Sequence, residues 1–180
     1  MRKSASQRIP DGPIAICYVV LLLGSAPFVP SVWAFLERHV PWSPFFPYLF
    51  CSLLFILCFR GLPKRPFRIL GFFLILGIFL WSMSCLKRPV ERIHFIEYGA
   101  LTFFLFRFFR HLVKERWSYG LSFAGGFLVG VADELLQGFL PNRVFDPRDI
   151  WVNAWAGGLG VISLTLFFAP SSLPMKKNKP

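Results

Sequence analysis

Four titratable side chains have the types and positions needed for proton transfer. His94 lies at the start of one apolar run, Asp133 and Glu134 lie near the end of the next, and Asp149 lies at the start of the last. Histidine exchanges protons near neutral pH, and a neighbouring carboxylate can hold its tautomer. Adjacent carboxylates at the C-terminal end of a helix oppose the helix dipole, so they need an arginine, a metal ion or a proton beside them. We therefore predict that these four residues are catalytic.

Four more polar side chains are placed to bind a substrate beside them: Tyr98, Gln137, Arg143 and Asn153. Arg143 is the nearest positive charge after the carboxylates, and it could hold an anionic headgroup or simply neutralise Glu134. Asn153 lies inside an apolar run, where an amide often bonds across to another helix. Polar groups at membrane depth are costly and usually functional. The sequence therefore predicts one polar site assembled from separate stretches.

The same residues also have a structural interpretation. Asp146 is a good helix N-cap, followed by a proline at the first helical position, and Asp149 in the first turn favours the dipole. Glu91 and Glu97 flank His94 by three residues on either side, which is compatible with a helix start and an interfacial hydrogen bond. Both interpretations stay open at this point.

Apolar runs separate the polar stretches and dominate the chain. Hydrophobic residues make up 55% of the sequence and charged residues only 16%, whereas a soluble domain has roughly 25% charged residues. Six runs approach the length of about 20 residues that a membrane-crossing helix needs: 14–28, 45–59, 69–86, 93–113, 119–139 and 150–169. We predict an all-α, polytopic transmembrane bundle of about six helices, or five if the run 45–59 is re-entrant.

The first run has two features of its own. It could be a signal peptide, because a basic start precedes a short apolar region, but Pro27 disfavours cleavage after Gly24-Ser25-Ala26, and we predict a retained helix. Pro27 and Pro30 interrupt this run, so residues 32–36 either continue it beyond a kink or lie along the membrane surface.

Positive charges indicate the orientation. With six helices and a cytoplasmic N-terminus, most lysines and arginines fall on the cytoplasmic side. The exceptions are Arg38, Lys87, Arg88, Arg92, Arg143 and Arg148. This distribution predicts two cytoplasmic termini and a multi-pass membrane protein. The start of the fourth helix, the end of the fifth and the start of the sixth would then meet at the outer face and bring the polar residues together.

The predicted organisation has four parts: a basic cytoplasmic tail 1–13, transmembrane helices 14–85, a transmembrane core 86–169 and a basic cytoplasmic tail 170–180. The net charge of +11 lies at the ends of apolar runs rather than along a helix face, which favours membrane lipids as partners and excludes nucleic acid. The four cysteines lack metal-ligand spacing. We predict no cofactor and no metal, although a carboxylate–histidine site for a divalent ion stays open.

The spacing of these residues resembles that of the VanZ-like family of bacterial membrane proteins. The pattern D-E-x-x-Q-x-x-x-P-x-R-x-x-x-x-x-D-x-x-x-N begins at Asp133, and H-x-x-x-Y begins at His94; together they cover about 86–168. Two departures are Ala156 where a glycine is frequent, and an acidic–basic pair one step closer to the histidine than usual. Residues 14–60 carry no recognised signature.

The resemblance implies a protein of the bacterial inner (cytoplasmic) membrane with a role in the cell envelope, and envelope lipids, lipid-linked precursors or envelope-assembly proteins as partners. The family is named after a protein linked to resistance to the glycopeptide teicoplanin, and resistance is not transferred to this chain. We predict a site that handles the headgroup of an envelope lipid or lipid-linked intermediate, enzymatic or not, although no nucleophile motif is recognisable. The alternatives are a proton-coupled transporter and an accessory protein whose polar cluster only ties helices together.

Overall fold

The computed structural model describes residues 11–60, 66–141 and 143–168. Within these ranges the chain is α-helical, with a short 3₁₀ turn at Ser43–Phe45 and no strand, so the predicted all-α class is confirmed. The helices are α1 (Asp11–Ser25), α2 (Val29–His39), α3 (Phe46–Arg60), α4 (Pro66–Cys85), α5 (Pro89–Phe109), α6 (Glu115–Gly138) and α7 (Pro147–Phe168). The C-terminal tail and most of the N-terminal tail lie outside the described residues.

Two of the described helices, α4 and α6, are long and apolar enough to cross a membrane by length and composition. α1 and α2 pass the same test only when they are taken together. They are bent by 68° at a short break, so they form either a broken third span or a re-entrant loop. The break contains Pro27, so the kink has the cause expected from the sequence. α5 and α7 have 21 and 22 residues but fall outside this criterion. The six-span prediction therefore stays a prediction.

Helices α5, α6 and α7 form the centre of the bundle. α5 and α7 run in the same direction: Arg148 at the start of α7 lies 3.4 Å from Glu91 near the start of α5, and Gly160 faces Gly99 further along. α6 runs in the opposite direction, so its C-terminal end lies beside the starts of the other two. The three polar stretches thus meet at one end of the bundle, as the sequence predicts.

Small residues let these helices approach one another. A methyl group added at Gly160 would lie 3.1 Å from the carbonyl oxygen of Gly99, closer than side chains normally come to a backbone. One added at Gly130 would lie 3.3 Å from the Tyr98 ring and 3.4 Å from the Asn153 side chain. Glycine at these positions therefore permits the close contact that is common between membrane helices.

The outer helices pack around this centre. α4 runs antiparallel to α7, with the indole nitrogen of Trp155 donating to Ser82 at 3.0 Å. α1 runs antiparallel to α5, because Asp11 at its start pairs with Arg107 and His111 at the end of α5. Large apolar side chains such as Leu70 on α4 remain exposed on the outside of the bundle, as expected for helices surrounded by lipid.

Candidate functional site

The candidate site is centred on Asp133, which is completely buried. Its Oδ2 atom accepts a hydrogen bond from the Tyr98 hydroxyl at 3.2 Å and another from the Gln137 amide at 3.0 Å. Gln137 lies one turn after Asp133 on the same face of α6, while Tyr98 comes from α5. The predicted pairing of the two stretches is therefore present as direct contacts between side chains.

His94 connects Asp133 to the loop after α6. Its Nε2 atom lies 3.3 Å from an Arg143 guanidinium nitrogen, and its Nδ1 atom lies 3.4 Å from Glu97 and 3.9 Å from Asp133. Because a guanidinium only donates, Nε2 must be the accepting nitrogen and Nδ1 carries the proton. The two carboxylates lie on the Nδ1–H side and favour this tautomer.

Arg143 binds Gln137 rather than Glu134. Its Nε atom donates to Gln137 Oε1 at 2.9 Å, and Nη2 contacts the same oxygen. Glu134, which is 1% exposed, instead accepts the backbone N–H of Asp146 at 3.1 Å. The alternative in which Arg143 neutralises Glu134 is therefore not the arrangement found. Arg143 covers the basic nitrogen of His94 and the oxygen of Gln137.

The start of α7 contributes Asp149 and Asn153. Asp146 caps this helix, since its Oδ1 accepts the backbone N–H of Arg148 at 3.0 Å, as the structural interpretation predicts. Asp149 is half-buried in the first turn, and Asn153 is buried one turn further on, against Gly130. All eight candidate residues thus lie in one region, although the roles assigned to them stay predictions.

This region contains several buried polar atoms that have no hydrogen-bond partner among the described residues. They are Glu91 Oε1, His94 Nδ1, Asp133 Oδ1, Glu134 Oε1, Asp149 Oδ1, and Asn153 Oδ1 and Nδ2. Buried polar groups in folded proteins are almost always hydrogen-bonded, and an unmet one costs about 1–3 kcal/mol. Their concentration around one point indicates a place where a polar ligand or water completes the bonding.

Glu91 and Arg148 also belong to the site, although they are not among the residues predicted. Glu91 Oε2 accepts the backbone N–H of Arg88 at 3.4 Å and lies 3.4 Å from Arg148. Glu91 is buried, whereas the Arg148 side chain is about half exposed at the rim. The signal in the sequence was the placement of both residues in the first turn of a helix. Their pairing depends on the parallel packing of α5 and α7, which the sequence does not display.

An apolar cavity adjoins this polar cluster. It has a volume of about 600 Å³ and lies between α1, α2, α3 and α5, lined by residues that include Tyr18, Trp33, Ile96 and Phe104. Glu97, the carboxylate next to His94, also lines it. A second apolar cavity of about 320 Å³ shares Ile96 and Phe104 and extends towards α4 and α7. Polar and apolar surfaces therefore meet at Glu97.

The sequence of the chain matches a known protein family. A family model described as VanZ/LLP1 matches residues 15–168, so the match extends over the first helices, where residues 14–60 carry no recognised signature. Searches of curated proteins and of solved structures gave no match. Among the described residues no group of three or more histidine, cysteine or acidic side chains is arranged to hold a metal ion.

Proposed function

Because this chain belongs to the VanZ/LLP1 family and is a membrane protein associated with the cell envelope, we propose that it binds the polar headgroup of an envelope lipid or lipid-linked intermediate. The observations that carry this proposal are the cluster of unpartnered buried polar atoms and the apolar cavity, which are linked by Glu97, since this residue lines the cavity and lies 3.4 Å from His94. Such a pair of surfaces suits an amphipathic molecule, whose headgroup meets the polar atoms while a hydrocarbon chain fills the apolar space.

We propose that the site opens at the outer face of the bacterial cytoplasmic membrane and that both termini are cytoplasmic. Basic residues support this orientation, because Arg107, Arg110, Lys114 and Arg116 lie at the opposite end of the bundle from Asp133. The alternating directions of α3 to α7 and the bent pair α1–α2 are compatible with an even number of crossings.

Within the site, Arg143 is the residue that changes partners. An anionic group of the ligand attracts its guanidinium more strongly than the neutral amide of Gln137 does, because the anion adds the attraction of opposite charges and can accept two parallel N–H bonds. Movement of Arg143 would release His94 Nε2, which then becomes available as a proton acceptor. Asp133 and Glu97 would stabilise the imidazolium that results. Tyr98 and Gln137 hold Asp133 in place.

The test is a replacement series in the native membrane: His94→Ala, Glu134→Gln, Arg143→Ala and Asp149→Asn. The matched control is Glu115→Gln, which makes the same chemical change at the other end of α6. For each variant, the amount of folded protein and the pool of envelope lipids and lipid-linked intermediates are measured by chromatography and mass spectrometry.

We expect Glu134→Gln and Asp149→Asn to remain folded and to alter one class of lipid, because neither side chain has an ion pair to lose. The control should leave the pool unchanged. A pool identical to wild type in every folded site variant would contradict the proposal and favour a cluster that only ties helices together.

A further inference from the structure

The polar atoms left without partners are mostly acceptors. Carboxylate oxygens of Glu91, Asp133, Glu134 and Asp149 and the amide oxygen of Asn153 lack a donor. A carboxylate accepts but does not donate unless it is protonated, and the ligand must therefore supply hydrogens. Two unpartnered atoms of this region are donors, the Asn153 amide nitrogen and His94 Nδ1. His94 Nδ1 already faces two carboxylates.

The buried charges are also unbalanced. Glu91 has Arg148 at 3.4 Å, and Asp133 has His94 at 3.9 Å. Among the described residues, neither Glu134 nor Asp149 has a basic side chain within 4.0 Å, and the two carboxylates interact electrostatically with each other. Buried charges normally carry a partner. The structure thus presents two carboxyl groups that each have a free oxygen and, in the described part of the chain, no basic side chain within 4.0 Å.

Positive charge lies further out. Arg88 and Arg148 are exposed beside the site, and Arg143 is partly exposed in the loop after α6. The acidic groups are deep and the basic groups are at the rim. This layering matches a ligand with a cationic donor group at its tip and an anionic group behind it, and it disfavours a purely anionic one.

We infer that the headgroup carries a primary ammonium, which binds between Glu134 and Asp149, with the amide oxygen of Asn153 as a third acceptor. A primary ammonium has three N–H donors and one positive charge, so it supplies both the hydrogens and the charge that this cluster of acceptors lacks. A phosphate next to the ammonium would contact Arg143 or Arg148 at the rim. This inference rests on the proposed headgroup site and specifies the class of headgroup.

The experiment measures binding of three lipids with identical acyl chains to the purified full chain in detergent, by native mass spectrometry. Phosphatidylethanolamine offers a cationic donor, phosphatidylcholine a cation without N–H donors, and phosphatidylglycerol hydroxyl donors without a cation. Wild type should bind phosphatidylethanolamine at least tenfold more tightly than either of the others. Glu134→Gln and Asp149→Asn should each remove most of that preference, and Glu115→Gln should retain it.

Three results overturn the inference. If phosphatidylglycerol binds equally well, hydroxyl donors suffice. If phosphatidylcholine binds equally well, N–H donors are not needed. If wild type shows no preference at all, the site does not distinguish headgroups. These results come from wild type alone and do not depend on the folding of a variant.

If the preference is absent but Glu134→Gln still alters the envelope lipid pool, the inference of an ammonium headgroup is wrong while the proposed function stands. If the preference is present and the pool never changes, the reverse holds.

Discussion

Two buried amides in the site, Asn153 and Gln137, provide a direct test of whether the cluster is built for stability or for a ligand. Asn153 is 3% exposed and Gln137 is 1% exposed. The test replaces each of them with leucine, an apolar residue of similar size. Both amide atoms of Asn153 lack a partner, whereas Gln137 donates to Asp133 at 3.0 Å and accepts from Arg143 at 2.9 Å. Both changes replace an amide with an apolar side chain, and they differ chiefly in the hydrogen bonds lost; leucine has the shape of asparagine and one heavy atom fewer than glutamine.

The expected effects have opposite signs. Asn153→Leu removes a buried group with unmet hydrogen bonds, and the free energy of unfolding should stay the same or rise by about 1–3 kcal/mol. Gln137→Leu removes the hydrogen bonds to two charged partners, Asp133 and Arg143, and a bond to a charged group is worth about 1.5–3 kcal/mol. Since Arg143 is partly exposed and can turn to water, we expect a loss of about 2–4 kcal/mol.

The assay is equilibrium unfolding of the purified protein in mixed micelles, followed by circular dichroism and by tryptophan fluorescence. Lipid binding is measured on the same samples, and Asn153→Leu should weaken it despite the retained stability. If Asn153→Leu destabilises the protein as much as Gln137→Leu does, Asn153 is bonded within the fold, and the argument from unpartnered atoms is refuted.

Three other substitutions test the structure of the site. Gly130→Ala should lower the free energy of unfolding by about 1 kcal/mol, because overpacking of about 1–3 kcal/mol outweighs the better helix propensity of alanine. The control is Gly126→Ala, where the added methyl group has its nearest contact at 3.8 Å. This variant should be neutral or stabilising in the same unfolding assay. Tyr98→Phe removes the donor to Asp133 at 3.2 Å and should cost about 1–3 kcal/mol, and a stability equal to wild type would contradict this. Asp146→Ala removes the N-cap of α7 and should cost about 0.5–2 kcal/mol, seen as faster amide hydrogen exchange in the first turn of α7 and nowhere else.

The α6 face of the site can be predicted from the sequence because a helix has a fixed period. Gly126, Gly130, Asp133, Glu134 and Gln137 are separated by one, three or four residues, and all five are buried on the side that faces the bundle centre. The N-cap of α7 was equally predictable, because it depends only on a few consecutive residues. Local geometry therefore accounts for most of what could be foreseen.

The partners of the charged residues could not be predicted in this way. Arg143 lies in an irregular loop, and the sequence left Glu134 open as a partner for it, whereas the folded loop turns the guanidinium towards Gln137 and His94. The contact between Glu91 and Arg148 joins residues 57 positions apart and requires the parallel packing of α5 and α7. Such pairings depend on tertiary geometry, which the helical period does not determine.

The two oxygens of Asp133 show how the site divides. Oδ2 receives two hydrogen bonds, from Tyr98 and Gln137, while Oδ1 receives none. A buried network that is only partly satisfied is less stable than an apolar core of the same shape, so stability alone gives no reason for the unbonded half. The bonded half fixes the position of the carboxylate on α5 and α6, and the unbonded atoms include those of Glu134 and of Asp149 and Asn153 on α7. A binding site is preorganised when some contacts hold its groups in place and other polar atoms are left without partners, and the proposed headgroup would bind beside the start of α7.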